Sequence, residues 1–103
     1  MYRLTTAAAL VAALSATSAH AESYTYMCRV PSDHKSYPVK VDVDRATLTW
    51  RGTEFRDLQQ SGSDCRYKFE ATRDGVTAEL CTATKGVADL TIGAASFDCQ
   101  MVR

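Results

Sequence analysis

The sequence predicts an all-β domain: a small eight-stranded antiparallel β-barrel stabilised by disulfides. Three observations carry that prediction. From about residue 22 onward nearly every segment alternates apolar and polar residues with period 2. No window of about twelve residues beyond that point carries a helical stripe. Turn chemistry at Arg51-Gly52, Asp74-Gly75 and Gly93-Ala94 separates alternating runs at hairpin spacing.

Residues 1–21 read as a cleaved export signal rather than as part of the fold. Arg3 is a short positive n-region, Leu4 to Leu14 an alanine-rich apolar run, and Ala19-His20-Ala21 an A-x-A cleavage site. The run is too short for the roughly 20 residues a membrane-spanning helix needs. No cysteine directly follows the cleavage point, where Glu22 stands, so no lipid anchor is expected. Such a brief n-region suits a bacterial signal and a periplasmic product. Removing 21 of the 103 residues leaves 82, residues 22–103, enough for one small domain.

The 12 basic and 12 acidic residues become 11 and 12 once Arg3 is removed. Near-neutrality argues against nucleic acid, which selects for a clustered basic surface. All four cysteines, Cys28, Cys65, Cys81 and Cys99, fall after the leader. An even count in a small exported domain reads as two disulfides. The competing reading, a zinc site of four thiolates, lacks any C-x-x-C pair, and no metal or other cofactor is expected.

Taken in order, Tyr24, Tyr26, Cys28 and Val30 share one face of a first strand. Val39, Val41 and Val43 share one face of a second. The segment 31–36 between them is a polar loop, in which His34 reads as a solvated side chain. Over Ala46–Asp57, a turn at Arg51-Gly52 pairs Trp50 with Thr53 and Leu48 with Phe55. Trp50 reads as core or rim packing before it reads as a sugar platform. Over Cys65–Thr84, a type I′ turn at Asp74-Gly75 pairs Ala71 with Ala78, Phe69 with Leu80 and Tyr67 with Thr82. A type II′ turn at Gly93-Ala94 pairs Leu90 with Phe97 and Ala88 with Cys99. Closure into an up-and-down barrel removes exposed edges and is preferred to a sandwich. A Cys28–Cys99 bridge between first and last strands closes it, which leaves Cys65 to pair with Cys81. In this register Cys81 lies opposite Lys68, so Cys65 must fold back from its loop.

The chain offers little catalytic chemistry. Ser61, Ser63 and His34 lack a nucleophile-elbow context. Asp42, Asp44, Glu70 and Glu79 fall on the outward phase of strands, a solvated face rather than a paired acid and base. The expectation is a binding protein, not an enzyme. Lys85, before Gly86 and after Thr82-Ala83-Thr84, is a compact charge at a tight turn that suits insertion into an acidic cleft. An exposed turn lysine that only aids solubility is the plainer alternative.

At these residues the chain resembles the C-type lysozyme inhibitor family of bacterial envelope proteins. Tyr26-Met27-Cys28 resembles its opening aromatic-x-Cys, and Ala46-Thr47-Leu48-Thr49-Trp50 with Gly52 its A-T-L-T-Φ-x-G hairpin. Ser61-Gly62-Ser63-Asp64-Cys65-Arg66-Tyr67 resembles S-G-S-G-A-[RK]-Y. Thr84-Lys85-Gly86 followed by Ala88-Asp89-Leu90 resembles T-K-G-x-x-A-x-L, and Phe97-Asp98-Cys99 the closing aromatic-x-Cys. The resemblance spans nearly all of the chain after the leader and implies an eight-stranded barrel that plugs the active-site cleft of C-type lysozyme, protecting the cell wall from a host enzyme. It assigns Ser63 and Lys85 to the enzyme's two catalytic carboxylates, with Tyr67 beside them. An inserted ammonium would favour ionisation of the acid that must stay protonated.

This sequence departs from the pattern at four places. Asp64 replaces a glycine, Cys65 a small residue, and Cys81 stands where an aromatic is common. The hairpin between the motifs is also longer, so Ser63 and Lys85 are 22 residues apart. Ser61 is a substitute for Ser63 if the motif is offset by two. The alternative function is a small-ligand or carbohydrate-binding envelope barrel using Trp50 and the tyrosines. Monomer and homodimer both remain open.

Overall fold

The structure, a computed structural model, describes residues 22–62 and 64–102. The expected leader, residues 1–21, and Ser63 lie outside the described residues. Eight strands follow one another: β1 (Ser23–Val30), β2 (Lys35–Asp42), β3 (Thr47–Trp50), β4 (Thr53–Ser61), β5 (Tyr67–Arg73), β6 (Val76–Thr82), β7 (Val87–Ile92) and β8 (Ala95–Met101). Each pairs antiparallel with its sequence neighbours, and β8 returns to β1 to complete a closed barrel. Among the described residues the helical content is a single 3₁₀ turn, Thr84–Gly86.

The hairpins adopt the registers that alternation and turn chemistry predict. Leu48 lies opposite Phe55 and Trp50 opposite Thr53. Tyr67, Phe69 and Ala71 face Thr82, Leu80 and Ala78, and Leu90 and Ala88 face Phe97 and Cys99. The reason lies in the backbone. Asp74 and Gly75 both have positive φ, 51° and 79°, and so do Arg51 and Gly52, 48° and 85°. Two consecutive left-handed residues define a type I′ turn, whose twist matches that of the strands it joins. Gly93 alone is positive in the last turn, at 60°, as type II′ requires.

One face of each strand supplies the core. Leu48, Leu80, Leu90, Val39 and Val41 are fully buried, with Tyr26, Phe55 and Phe69 nearly so. Each such aliphatic side chain contributes about 1.5–3 kcal/mol by leaving water. Trp50 belongs to this core at 8 % exposure, its ring 5.2 Å from that of Phe97. It is therefore packing, not a sugar platform. Cys28 and Cys99 stand directly opposite one another across the β1–β8 seam and form a disulfide. Cys65 and Cys81 form the second, with Cys81 opposite Lys68. Two disulfides in so small a chain mark folding in an oxidising, extracellular-type compartment. No helix among the described residues is long and apolar enough to cross a membrane.

Two details depart from the alternation. The polar loop is shorter than expected: β2 begins at Lys35, leaving a turn at residues 31–34, and Val43 sits beyond the end of β2. More consequentially, β4 runs past Asp57 to Ser61 through a bulge. Arg56 pairs with Thr72 but Gln59 pairs with Glu70, so β4 carries one extra residue. Asp57 takes a left-handed φ of 58° there, and the Leu58 N–H donates to Ala46 O at 3.1 Å. A single inserted residue exchanges the two faces of everything beyond it. The inward phase passes from Phe55 to Leu58, and Ser61 turns outward with Lys68, its partner on β5.

Candidate functional site

Alternating hairpins place residues 64–66, the turn 83–86 and the start of β1 and the end of β8 at one end of the barrel. Tyr67 and Lys85 meet there. The β6–β7 turn closes tightly, as Val87 N–H donates to Thr84 O while Ala83 N–H donates to Val87 O at 2.7 Å. Lys85 has φ 62° and ψ 27°, and Gly86 has φ 74°. This is again a type I′ turn, and Lys85 is its first central residue. A non-glycine residue held left-handed costs roughly 1–2 kcal/mol. In return the lysine stem is fixed at the apex of a two-residue turn instead of lying along a strand. Gly86 is needed for a second reason, since a Cβ there would sit 3.3 Å from Met101 Cβ.

The adjoining loop is fastened from both sides. The Arg66 N–H donates to Thr82 O at 2.8 Å. The buried Thr82 hydroxyl accepts from Tyr67 N–H at 3.0 Å and donates to Tyr67 O at 3.1 Å. The Cys65–Cys81 disulfide ties the same loop to the outer face of β6. Arg66 and Tyr67 are thus held to β6 by hydrogen bonds and a neighbouring disulfide, and Lys85 sits in a hydrogen-bonded turn.

Between them lies a concavity of about 230 Å³. Its apolar walls are Tyr24, Tyr26, Phe69 and Met101. Tyr24 and Phe69 lean on one another with ring centroids 5.7 Å apart. Among the described residues, Arg66 and Lys85 are the ionised groups on its lining, and none of the described residues lining it is a carboxylate. Burial, with a smaller contribution from Tyr24, raises the Tyr26 phenol above its ordinary value, so it stays a neutral O–H at physiological pH.

Of the residues singled out from sequence, Lys85 and Tyr67 share this lining. Ser61 does not: it stands on the outer row with Lys68 and Cys81. Ser63 lies outside the described residues. Arg66 and Met101 were missed as site residues, while Tyr24 and Tyr26 entered only among the tyrosines of the ligand-binding alternative. The signal for Met101 was available, because extending the Cys28–Cys99 pairing by two residues sets Met101 opposite Tyr26.

A separate cluster occupies the far end. Tyr37 O–H donates to the Asp33 carboxylate, which also accepts from Lys35 N–H at 2.9 Å. The Arg51 guanidinium lies 4.0 Å over the Tyr37 ring. The Tyr37 hydrogen bond is the main reason the Asp33 carboxyl falls below its usual value, and it raises the Tyr37 phenol in turn. His34 is exposed in the same turn. This cluster joins the β1–β2 and β3–β4 hairpins.

Set against known proteins, the chain matches no family model, no curated protein and no solved structure. The functional reading therefore rests on the motifs and on the geometry of this mouth.

Proposed function

We propose that the protein is an exported, periplasmic inhibitor of C-type lysozyme, with Lys85 entering the enzyme's carboxylate-bearing cleft. The observation that carries this reading is the placement of Lys85 at the apex of a braced I′ turn, with no carboxylate among the described residues of the lining beside it. A braced turn gives up little backbone freedom on insertion, so more of the lysine's charge-assisted hydrogen bonding is retained as affinity. Tyr67 stands beside it on the same lining. Ser63, by its place in the motif, donates to the second carboxylate; Ser61 would have to act from the outer face of β4.

The test is lysis of bacterial cell walls by a C-type lysozyme in the presence of the protein. Truncating one partner of a buried charged pair costs about 2–5 kcal/mol, so Lys85→Ala should weaken inhibition at least tenfold. Its circular dichroism and thermal midpoint should match those of the parent. Undiminished lysis with the parent protein at micromolar concentration would overturn the reading. Equal inhibition by parent and variant would overturn the role of Lys85.

The aromatic-walled concavity favours a second reading, a small-ligand-binding envelope barrel. Trp50, buried, takes no part in it.

A further inference from the structure

We infer that the barrel mouth binds a small organic anion, a single ring bearing a carboxylate, with the ring against Tyr24, Tyr26 and Phe69 and the carboxylate between Arg66 and Lys85. The inference deepens the ligand-binding reading and does not depend on lysozyme inhibition.

Three observations define the occupant. The first is size. Sites for drug-sized ligands run from roughly 300 to 1,000 Å³, and this one encloses about 230 Å³. It suits one ring with a short arm, not an oligosaccharide or a fatty-acid chain. The second is shape and polarity. The walls are aromatic faces and edges, with the Tyr24 and Phe69 rings tilted by 36°. A flat ring meets such walls by offset or edge-to-face contact, worth about 0.5–1.5 kcal/mol per pair beyond area burial.

The third is charge. Arg66 and Lys85 line the mouth from two different segments. Neither makes an ion pair among the described residues, where the salt bridges join Arg45 and Arg56 to Glu54 and Arg73 to Asp74. The Thr82 hydroxyl spends its single proton on Tyr67 O, so it offers a bound carboxylate no donor beside these cations. A carboxylate between them gains a planar fork from arginine and a point charge from lysine. A neutral ring gains neither.

The experiment is calorimetric titration of the purified oxidised protein with phenylacetate, with 2-phenylethanol as a neutral probe of matching shape and with N-acetylglucosamine. Chemical shifts of the Tyr67, Thr82 and Gly86 amides report the site. Phenylacetate should bind with a roughly millimolar or tighter Kd, at least tenfold tighter than 2-phenylethanol. Lys85→Ala and Arg66→Ala should each weaken it several-fold, and Lys85→Arg should retain it. Both side chains are exposed, so these variants fold.

Equal binding of phenylacetate and 2-phenylethanol at the mouth overturns the carboxylate inference while leaving a ligand-binding barrel. Binding of N-acetylglucosamine alone does the same. Shifts confined to the Asp33–Tyr37 end overturn the site. Failure of all three probes overturns both the inference and the ligand-binding reading.

Discussion

Replacing Cys65 and Cys81 together by alanine tests how much of the mouth is held by covalent bracing. The bridge closes a short loop, with a sequence separation of 16. Constraining an unfolded loop of that length is worth about 3 kcal/mol in the chain-entropy account. Both cysteines are only half-buried, so alanine leaves no core cavity and the loop term stands nearly alone. For a domain of this size about 3 kcal/mol corresponds to a fall in Tm of roughly 12–24 °C. The seam bridge gives an internal comparison. Cys28–Cys99 spans 71 residues, and its sulfurs lie in the core, with Cys28 fully buried. Its loop term is about 4 kcal/mol, and removing buried sulfur adds a packing loss. Urea unfolding of the parent and the two double variants should therefore rank parent, then Cys65→Ala/Cys81→Ala, then Cys28→Ala/Cys99→Ala. Hydrogen exchange in the first variant should rise at Arg66 and Tyr67 before it rises in β1 or β8. A loss below about 1 kcal/mol for the 65–81 pair, or an inverted ranking, would refute the reasoning.

Two further outcomes follow from single side chains. Thr82→Val keeps the shape but strips both hydrogen bonds from the Tyr67 backbone. Leaving buried polar groups unpaired costs about 1–3 kcal/mol, so the urea midpoint should fall, with faster exchange at Tyr67. Tyr37→Phe should flatten the acid limb of the stability profile. The Asp33 carboxyl is depressed in the fold, so its contribution is present above its ordinary value near 4 and is lost as pH falls through the folded value. The raised Tyr37 phenol contributes below its ordinary value near 10 and loses that contribution as pH rises. Unfolding midpoints taken across acid and alkaline pH should show both slopes reduced in the variant.

The architecture was legible because each hairpin's register is set locally. Asp74-Gly75 can adopt two positive φ angles at little cost, and once they do, Phe69 must face Leu80. Closure was legible from cysteines on the inward phase of the first and last strands. The mouth was only half legible. Lys85 and Tyr67 stand out by turn position and spacing, but Met101 joins the lining only through the β1–β8 pairing, which no short window encodes. Ser61 shows the other failure. Counting by twos from Phe55 puts Asp57, Gln59 and Ser61 on the inward face; the bulge reverses that parity. Asp57 in a left-handed conformation is its only trace in the residue types, and aspartate is common in turns of every kind.

The distribution of charge bears on which of the two readings the fold serves. The formal net charge is zero, yet the mouth is lined by two cations while the outer face of β5–β8 gathers acids. Glu70 lies directly opposite Glu79, and Asp89 opposite Asp98. Like charges so placed destabilise a sheet by about 0.2–1 kcal/mol per pair. A small carboxylate would engage the mouth and leave the acidic face without a role. A protein with an acidic cleft set in a basic surface would engage both, because electrostatic complementarity acts over the whole docking face and mainly on association rate. Glu79→Gln with Asp89→Asn separates the cases. It should raise the urea midpoint at low salt, because a repulsive pair is relieved on each side. It should leave phenylacetate binding unchanged. If lysozyme is the target, the same variant should associate more slowly and its inhibition should depend less steeply on salt. Inhibition and association rate unaltered by both substitutions would confine recognition to the mouth and remove the acidic face from the argument.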